Sequence, residues 1–202
     1  MGTGPKPTVV QILRAGSPFT DIKEGDEHFD AVLWAYNAGI AKGYPDYTYR
    51  PLAPVNRDAM AAFLHRMAGS PAVTLPRTEP FTDITKGDQH YEAVIWAYQN
   101  AITTGYPDRT FRPTEPIARN AMAAFLYRYA GSPATAAPTT APFADVPAGS
   151  AFAKEIAWLK ERGIAKGWAD GTFRPYSPMN RDATAAFIQR VVVQEGVKFR
   201  KG

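Results

Sequence analysis

Three arginines recur at equivalent places in the sequence, and they are the side chains best suited to bind an anion. These helix arginines are Arg57, Arg119 and Arg181, spaced 62 positions apart. Helical geometry puts Arg57 about 60° from the apolar Met60, in the first turn of a predicted helix. The helix dipole and desolvation both disfavour a cation there unless an anion meets it. The position therefore predicts an acidic partner for each arginine.

Two kinds of acidic partner fit the sequence. One is an internal ion pair with the aspartate of the recurring Phe-x-Asp segment; these repeat aspartates are Asp21, Asp83 and Asp145. The other is a ligand carboxylate or phosphate, held by the guanidinium fork with help from nearby helix N–H groups. Both could hold together, with the aspartate orienting the guanidinium. We expect the ligand to be anionic in the second case.

Tryptophan and glycine recur at the same interval. The helix tryptophans are Trp34, Trp96 and Trp158. Trp34 projects about 140° away from the centre of its apolar stripe, which predicts packing against the adjacent repeat or a platform for a sugar ring. The loop glycines Gly43, Gly105 and Gly167 are expected to form left-handed helix caps, or to let a ligand approach bare backbone.

Two further sets of repeated residues, one acidic and one basic, lie in the loop motif from Gly43 to Pro51 and in its copies. The turn aspartates Asp46, Asp108 and Asp170 are expected to form turns. The loop arginines Arg50, Arg112 and Arg174 are expected to be solvated or packed on aromatic rings. Histidine is not repeated faithfully, since Phe152 stands where the first two repeats have His28 and His90, which favours surface histidines over catalytic ones.

The elements that must position these residues are a helix, a loop and a second helix in each repeat. Phe29, Val32, Leu33, Tyr36 and Ile40 form the predicted stripe of the first helix, which Gly39 or Gly43 could end. Asn56 is the predicted N-cap of the second helix, whose stripe is Met60, Phe63, Leu64 and Met67. The predicted boundaries are 1–18 (N-terminal lead), 19–70, 81–132 and 143–192 (repeats), 71–80 and 133–142 (linkers) and 193–202 (C-terminal tail). Units this small predict one shared core.

Composition excludes several classes of protein. The 202 residues contain no cysteine, which excludes disulfides, thiolate zinc sites and a cysteine nucleophile. No apolar run approaches the ~20 residues of a membrane span. A net charge of +4, without a clustered basic stripe, argues against nucleic acid and permits an acidic partner. No catalytic, metal or cofactor motif occurs, so we expect no enzyme. Residues 1–18 lack a secretory signal, which suggests an anchor separated from the protein it once held.

Four motifs follow one another in the same order: Phe-x-Asp, Trp-Ala, Gly-Ile-Ala-Lys-Gly-Tyr-Pro-Asp-x-Thr-x-Arg-Pro and x-Arg-x-Ala. Over residues 15 to 192 this order resembles three tandem S-layer homology domains. The resemblance implies a mainly α, pseudo-threefold, spindle-like module of three helix-loop-helix repeats. Such modules fasten exported proteins noncovalently to bacterial envelopes by binding secondary cell wall polysaccharide, often pyruvylated. It implies inter-repeat grooves built from the helix arginines, repeat aspartates, loop glycines and helix tryptophans.

Departures from the family pattern affect individual repeats. The family's Thr-Arg-Ala-Glu element keeps its arginine here while its glutamate becomes alanine, and in repeat 2 Ala118 stands at the capping position that Asn56 has in repeat 1. A lost cap costs ~1 kcal/mol, so we expect the weakest groove in repeat 2. Trp168-Ala169 replaces Tyr-Pro in repeat 3 and is expected to change the loop wall. The predicted function is a monomeric, extracellular cell-wall anchor; the alternative is a protein-interaction scaffold for surface-layer assembly.

Overall fold

The computed structural model describes residues 16–196, and this range is mainly α, as predicted. It contains six α-helices and no β-strand. Most of the predicted N-terminal lead and part of the C-terminal tail lie outside the described residues. The helices are α1 (Phe29–Asn37), α2 (Arg57–Met67), α3 (Tyr91–Gln99), α4 (Arg119–Tyr129), α5 (Ala153–Glu161) and α6 (Arg181–Glu195).

Each repeat contributes two helices joined by a loop, and the second helix matches its predicted pattern. Asn56 is at the N-cap of α2, and the stripe of Met60, Phe63, Leu64 and Met67 is buried. The first helix differs from its prediction. Val32 and Ile40 are buried, but Tyr36 is 38% exposed, and the buried face includes Ala31 and Ala35. These small side chains suit the close packing of α1 against α6.

The repeats close into a ring. The second helix of each repeat packs against the first helix of the next: α2 on α3, α4 on α5, and α6 back on α1. The buried apolar residues of all three repeats form one cluster. The prediction of one shared core is therefore confirmed, and no repeat buries its apolar surface alone.

A cycle of main-chain hydrogen bonds joins the three repeats just ahead of their second helices. The N–H of Val55 donates to the carbonyl of Met179 at 2.8 Å. The N–H of Met179 donates to Ile117 at 3.0 Å, and the N–H of Ile117 donates to Val55 at 2.8 Å. Because these three side chains are also buried, the cycle fixes the relative register of the helices that begin beside it.

The glycines of repeat 1 have different roles. Gly39 follows α1 with φ of 72°, the left-handed conformation predicted for a helix cap. The predicted cap role is wrong for Gly43, which lies beyond this point, where a Cβ would collide with the ring of Phe19. Gly105 and Gly167 face Phe81 and Phe143 in the same way. The loop glycines thus allow the loop to pack directly on an aromatic ring.

Candidate ligand grooves between repeats

Three equivalent grooves lie between the repeats, and each is named here after its helix arginine. One repeat supplies the arginine, the next supplies the loop and second helix, and the third supplies the residue that precedes its first helix. The Arg181, Arg57 and Arg119 grooves have volumes of about 430, 250 and 450 Å³. All three grooves are lined by the loop glycine, the aromatic residue after it, and a phenylalanine and an arginine of the second helix. These residues are Gly43, Tyr44, Phe63 and Arg66 in the Arg181 groove, Gly105, Tyr106, Phe125 and Arg128 in the Arg57 groove, and Gly167, Trp168, Phe187 and Arg190 in the Arg119 groove.

The helix arginines are buried and are held by the neighbouring repeat. Arg57 is 5% exposed, and its Nε–H donates to the carbonyl oxygen of Phe111 at 2.7 Å. Arg119 and Arg181 repeat this contact with Phe173 and Tyr49, both at 2.8 Å. Within residues 16–196, none of the three forms an ion pair with a carboxylate. The predicted internal ion pair is therefore wrong.

The repeat aspartates bind the loop backbone instead of the helix arginines. The carboxylate of Asp21 accepts the N–H groups of Tyr49 and Arg50, each at 2.7 Å. Asp83 and Asp145 do the same one and two repeats later. Since the carbonyl of Tyr49 accepts from Arg181, Asp21 and Arg181 hold two sides of one loop residue. The aspartate thus positions the arginine through the backbone.

The N–H groups that begin the second helices are already bonded. In α2, the N–H of Arg57 donates to Glu115 at 3.0 Å, and that of Asp58 donates to Pro113 at 3.1 Å. The side chain of Asn56 makes no capping hydrogen bond. The expected help from helix N–H groups is therefore wrong, because the next repeat's loop occupies them. The cost assigned to Ala118 as a missing cap does not apply either.

Burial acts on the charge of these arginines. It lowers the pKa of Arg57 from its ordinary value, and it lowers the pKa of Arg119 to about 10, with a further contribution from the nearby Arg174. Both remain cationic at neutral pH. A main-chain carbonyl and aromatic rings offset only part of the desolvation of each cation, because no carboxylate among the described residues is paired with it. An anion entering the groove would supply the remaining compensation.

The aromatic residue after each loop glycine lines its groove, and of these three residues the sequence had pointed only to Trp168. These loop aromatics are Tyr44, Tyr106 and Trp168. The guanidinium carbon of Arg57 lies 4.8 Å from the ring centre of Tyr106, and that of Arg119 lies 4.3 Å from Trp168. Arg181 lies 5.1 Å from Tyr44. The recurrence of an aromatic directly after the repeated glycine was the signal that could have identified Tyr44 and Tyr106.

The helix tryptophans lie in the packing between repeats and line none of these three grooves. Trp96 is 8% exposed and lies 5.2 Å from the ring of His65 on α2. Trp158 is 1% exposed and lies 5.4 Å from Tyr127 on α4. Trp34 is half-buried. Repeat 3 has Gln189 at the position of His65 and Tyr127, so within the described residues Trp34 has no equivalent ring beside it. The tryptophans therefore pack between repeats, and the rings of Trp96 and Trp158 are too buried to contact a sugar.

His28 and His90 are not the surface residues that their lack of repetition suggested. Each lines a groove, and their side chains are only 19% and 17% exposed. Within the described part of the chain, no cluster of three or more carboxylate or imidazole residues could hold a metal ion. Over the same residues, no helix has the length and apolar character to cross a bilayer.

A model of the S-layer homology domain matches the sequence at residues 18–61, 80–123 and 142–185, one match per repeat. The chain belongs to the S-layer homology domain family. Among curated proteins it is similar to Cell surface glycoprotein 1 of Acetivibrio thermocellus, with 28% identity over 75% of this chain and 7% of that protein. It is 26% identical to the Cellulosome-anchoring protein of the same organism, over 76% of this chain and 35% of that protein.

An Endoglucanase from a Bacillus species is also 26% identical, over 87% of this chain and 19% of that protein. The chain therefore spans about a third or less of the length of these relatives. The S-layer homology repeats and these surface and anchoring proteins support a surface-anchoring module, located at the bacterial cell wall surface as expected.

Proposed function

We propose that this S-layer homology module is a non-catalytic anchor that binds an acidic secondary cell wall polysaccharide, pyruvylated in its preferred form, in the grooves between its repeats. The observation that carries the proposal is the state of the helix arginines. Each is buried beside a groove and lacks a carboxylate partner among the described residues. A cation built into this position favours an anion that comes from outside the chain.

The free part of the guanidinium faces a suitable surface for a sugar acid. In Arg57 the Nε–H is used by Phe111, and its outer nitrogens have no hydrogen-bond partner within residues 16–196. The groove also contains Tyr106 and the backbone of Gly105. A pyruvate ketal presents one carboxylate on a rigid ring, so the arginine would bind the carboxylate while the aromatic face contacts the ring.

Three grooves on one module fit a polymer better than a free sugar. A single contact of this kind is weak, but a repeating polysaccharide can occupy several grooves at once. Linked binding of this sort raises avidity by ~10²–10⁴ without new contacts. An anchor needs long residence on the wall rather than a tight single site, which makes this arrangement suitable for anchoring.

A scaffold that docks another surface protein is the second candidate. Leu52 and Tyr176 occupy equivalent positions in repeats 1 and 3 and are 74% and 80% exposed. Exposed apolar side chains of this kind can join protein surfaces. Self-association in the absence of wall material would favour this candidate over the polysaccharide anchor.

The two candidates are separated by sedimentation with purified cell walls. The module is mixed with intact walls, with walls from which the secondary polymer has been chemically removed, and with bare peptidoglycan. The anchor proposal predicts that the module sediments with intact walls and stays in solution with the other two. Equal sedimentation before and after removal of the polymer would contradict it.

A further inference from the structure

The three grooves differ at the wall supplied by the third repeat. The residue directly ahead of the first helix lines each groove: His90 in the Arg181 groove, His28 in the Arg119 groove and Phe152 in the Arg57 groove. Two grooves therefore have an imidazole at a place where the third has a phenyl ring. The difference lies inside the grooves, where it can act on a ligand.

Each histidine groove has an aspartate of the neighbouring repeat at the matching position, and in the Arg181 groove the two side chains are in direct contact. Nδ1 of His90 lies 3.0 Å from Oδ2 of Asp58, and the two side chains are only 17% and 12% exposed. His28 and Asp182 occupy the equivalent positions and both line the Arg119 groove. Nε2 of His28 lies 3.6 Å from Oε1 of Glu27. Both imidazoles thus lie beside a carboxylate at a groove wall, where a ring nitrogen can donate or accept a hydrogen bond.

The two members of the pair change together within this one chain. Where Phe152 replaces histidine, Asn120 replaces aspartate. Asn120 is as buried as Asp58 and Asp182, and its Oδ1 accepts the next N–H at 2.7 Å, as the aspartates do at 2.7 and 2.6 Å. The backbone contact is thus made equally well without the charge. The carboxylate is kept only in the two repeats whose matching groove position is a histidine.

The backbone at this wall gives a second, independent reason to regard the side chain as used. His28, His90 and Phe152 have φ of 62°, 62° and 63°. This left-handed conformation is unfavourable for residues with a Cβ and would be relaxed by glycine. The chain nevertheless places a large ring here in all three repeats, so the ring itself has a role.

The two grooves that contain a histidine also differ from the Arg57 groove at a second lining position. The residue before the loop glycine is a lysine in the two histidine grooves, Lys42 and Lys166, and a threonine, Thr104, in the Arg57 groove. The Arg57 groove is also the smallest, at about 250 Å³. It therefore has one cation fewer, a more apolar wall and less space.

We propose that His28 and His90 contact the ligand and determine specificity, so that the module has two classes of groove. The Arg119 and Arg181 grooves take an acidic sugar with free hydroxyl groups, which bond to the imidazole. The Arg57 groove takes an acidic sugar with an apolar substituent, such as an N-acetyl methyl group, which packs on Phe152. The inference rests on the proposed function, because it assumes that the helix arginines bind sugar acids.

Imidazole nitrogen NMR tests the contact directly. Two probes are titrated into the intact module: the methyl glycoside of a pyruvate-ketal hexose, and the same glycoside with an N-acetyl group. The proposal predicts that the signals of His28 and His90 shift on addition of the first probe. His65 is an internal control, since it bonds to the carbonyl of Pro71 and packs against the ring of Trp96 outside these grooves. Binding that moves neither groove histidine would overturn the proposal.

Exchanging the pairs tests specificity, with replacements that the chain itself already accommodates. In a background that keeps only the Arg181 groove (R57A/R119A), D58N/H90F should weaken binding of the plain ketal glycoside about tenfold and create a preference for the N-acetyl probe. In the R119A/R181A background, N120D/F152H should do the reverse. Calorimetry measures both affinities, and thermal unfolding confirms that each variant folds.

Two outcomes would overturn the inference and can be told apart. If both exchanges leave affinity and preference within about twofold, while removal of the remaining arginine abolishes binding, the pairs only hold the repeats together. The proposed function would then survive. If the intact module binds neither glycoside, the proposed function fails and the two groove classes fail with it.

Discussion

The helix arginines and the loop arginines are the same residue type only seven positions apart, yet their surroundings are opposite. The side chain of Arg50 is 50% exposed and pairs with Asp46 at 3.0 Å. Arg57 is 5% exposed and has no carboxylate partner among residues 16–196. An exposed, paired arginine needs nothing further, whereas a buried, unpaired one favours an incoming anion. Pairing and burial, more than residue type, distinguish a binding arginine from a structural one.

The two sets are also positioned by different parts of the molecule. Arg50 is fixed within its own repeat, by Asp46, Thr48 and the ring of Tyr44 at 3.8 Å. Arg181 is fixed by Tyr49 and Lys42, which belong to a repeat 132 to 139 positions away. The helix arginines are therefore in place only when the ring of repeats is closed. A groove is a property of the assembled module, not of one repeat.

The largest expected contrast comes from replacing arginine with lysine in each set. The triple variant R57K/R119K/R181K keeps the charges but loses the planar fork and the Nε–H bond to the neighbouring loop. We expect its retention on intact walls to fall at least ~100-fold, because avidity multiplies the loss in each groove. The matched control R50K/R112K/R174K should remain within about twofold. Equal retention of both variants in a wall-binding isotherm would remove the distinction between the sets.

A smaller effect is expected from replacing Asp21, which hydrogen bonds link to both the loop arginines and the helix arginines. Asp21 bonds to the N–H groups of Tyr49 and Arg50, and the carbonyl of Tyr49 holds Arg181. D21A should reduce the free energy of unfolding by ~2 kcal/mol, since hydrogen bonds to a charged group contribute ~1.5–3 kcal/mol. It should also weaken the Arg181 groove. Denaturant unfolding measures the first effect, and D21N, which keeps one acceptor, should lie between parent and D21A.

The pairing of the loop arginines predicts a modest dependence of stability on pH. Hydrogen bonds from Thr48, followed by that from Arg50, lower the pKa of Asp46 from 3.8 to about 2. A carboxyl with a lowered pKa in the folded state stabilises above its unfolded value, and the contribution is lost as pH falls from about 4 towards 2. D46N/D108N/D170N should therefore melt below the parent at pH 6, with the gap narrowing below about pH 4 and closing only below about pH 2. A gap that is constant with pH would contradict this assignment.

Much of the fold could be predicted from periodicity, because a repeated stripe such as that of Met60 and Leu64 reports its own helix. The burial of Arg57 beside Met60 followed from the same geometry. Its bonding partner did not, because Phe111 lies 54 positions away and reaches Arg57 only through closure of the ring. The same closure supplies the carbonyls that occupy the helix N–H groups, so Asn56 has no capping role. Helix faces and the packing of the tryptophans between repeats were accessible from sequence, but the hydrogen-bond partners of Arg57 and Asp21 were not, because main-chain carbonyl and N–H groups leave no pattern in the sequence.

The proposed anchoring depends on the binding of an acidic group of the wall polymer by the helix arginines. This dependence is tested by measuring retention of the triple alanine variant R57A/R119A/R181A and of the matched variant R50A/R112A/R174A. Each is measured on intact walls and on walls whose ketal carboxylates have been removed by mild acid. Circular dichroism confirms that both variants remain helical.

Only the R50A/R112A/R174A variant and the parent should bind intact walls, and neither should bind acid-treated walls. If R57A/R119A/R181A sediments with intact walls as the parent does, the arginine mechanism is wrong.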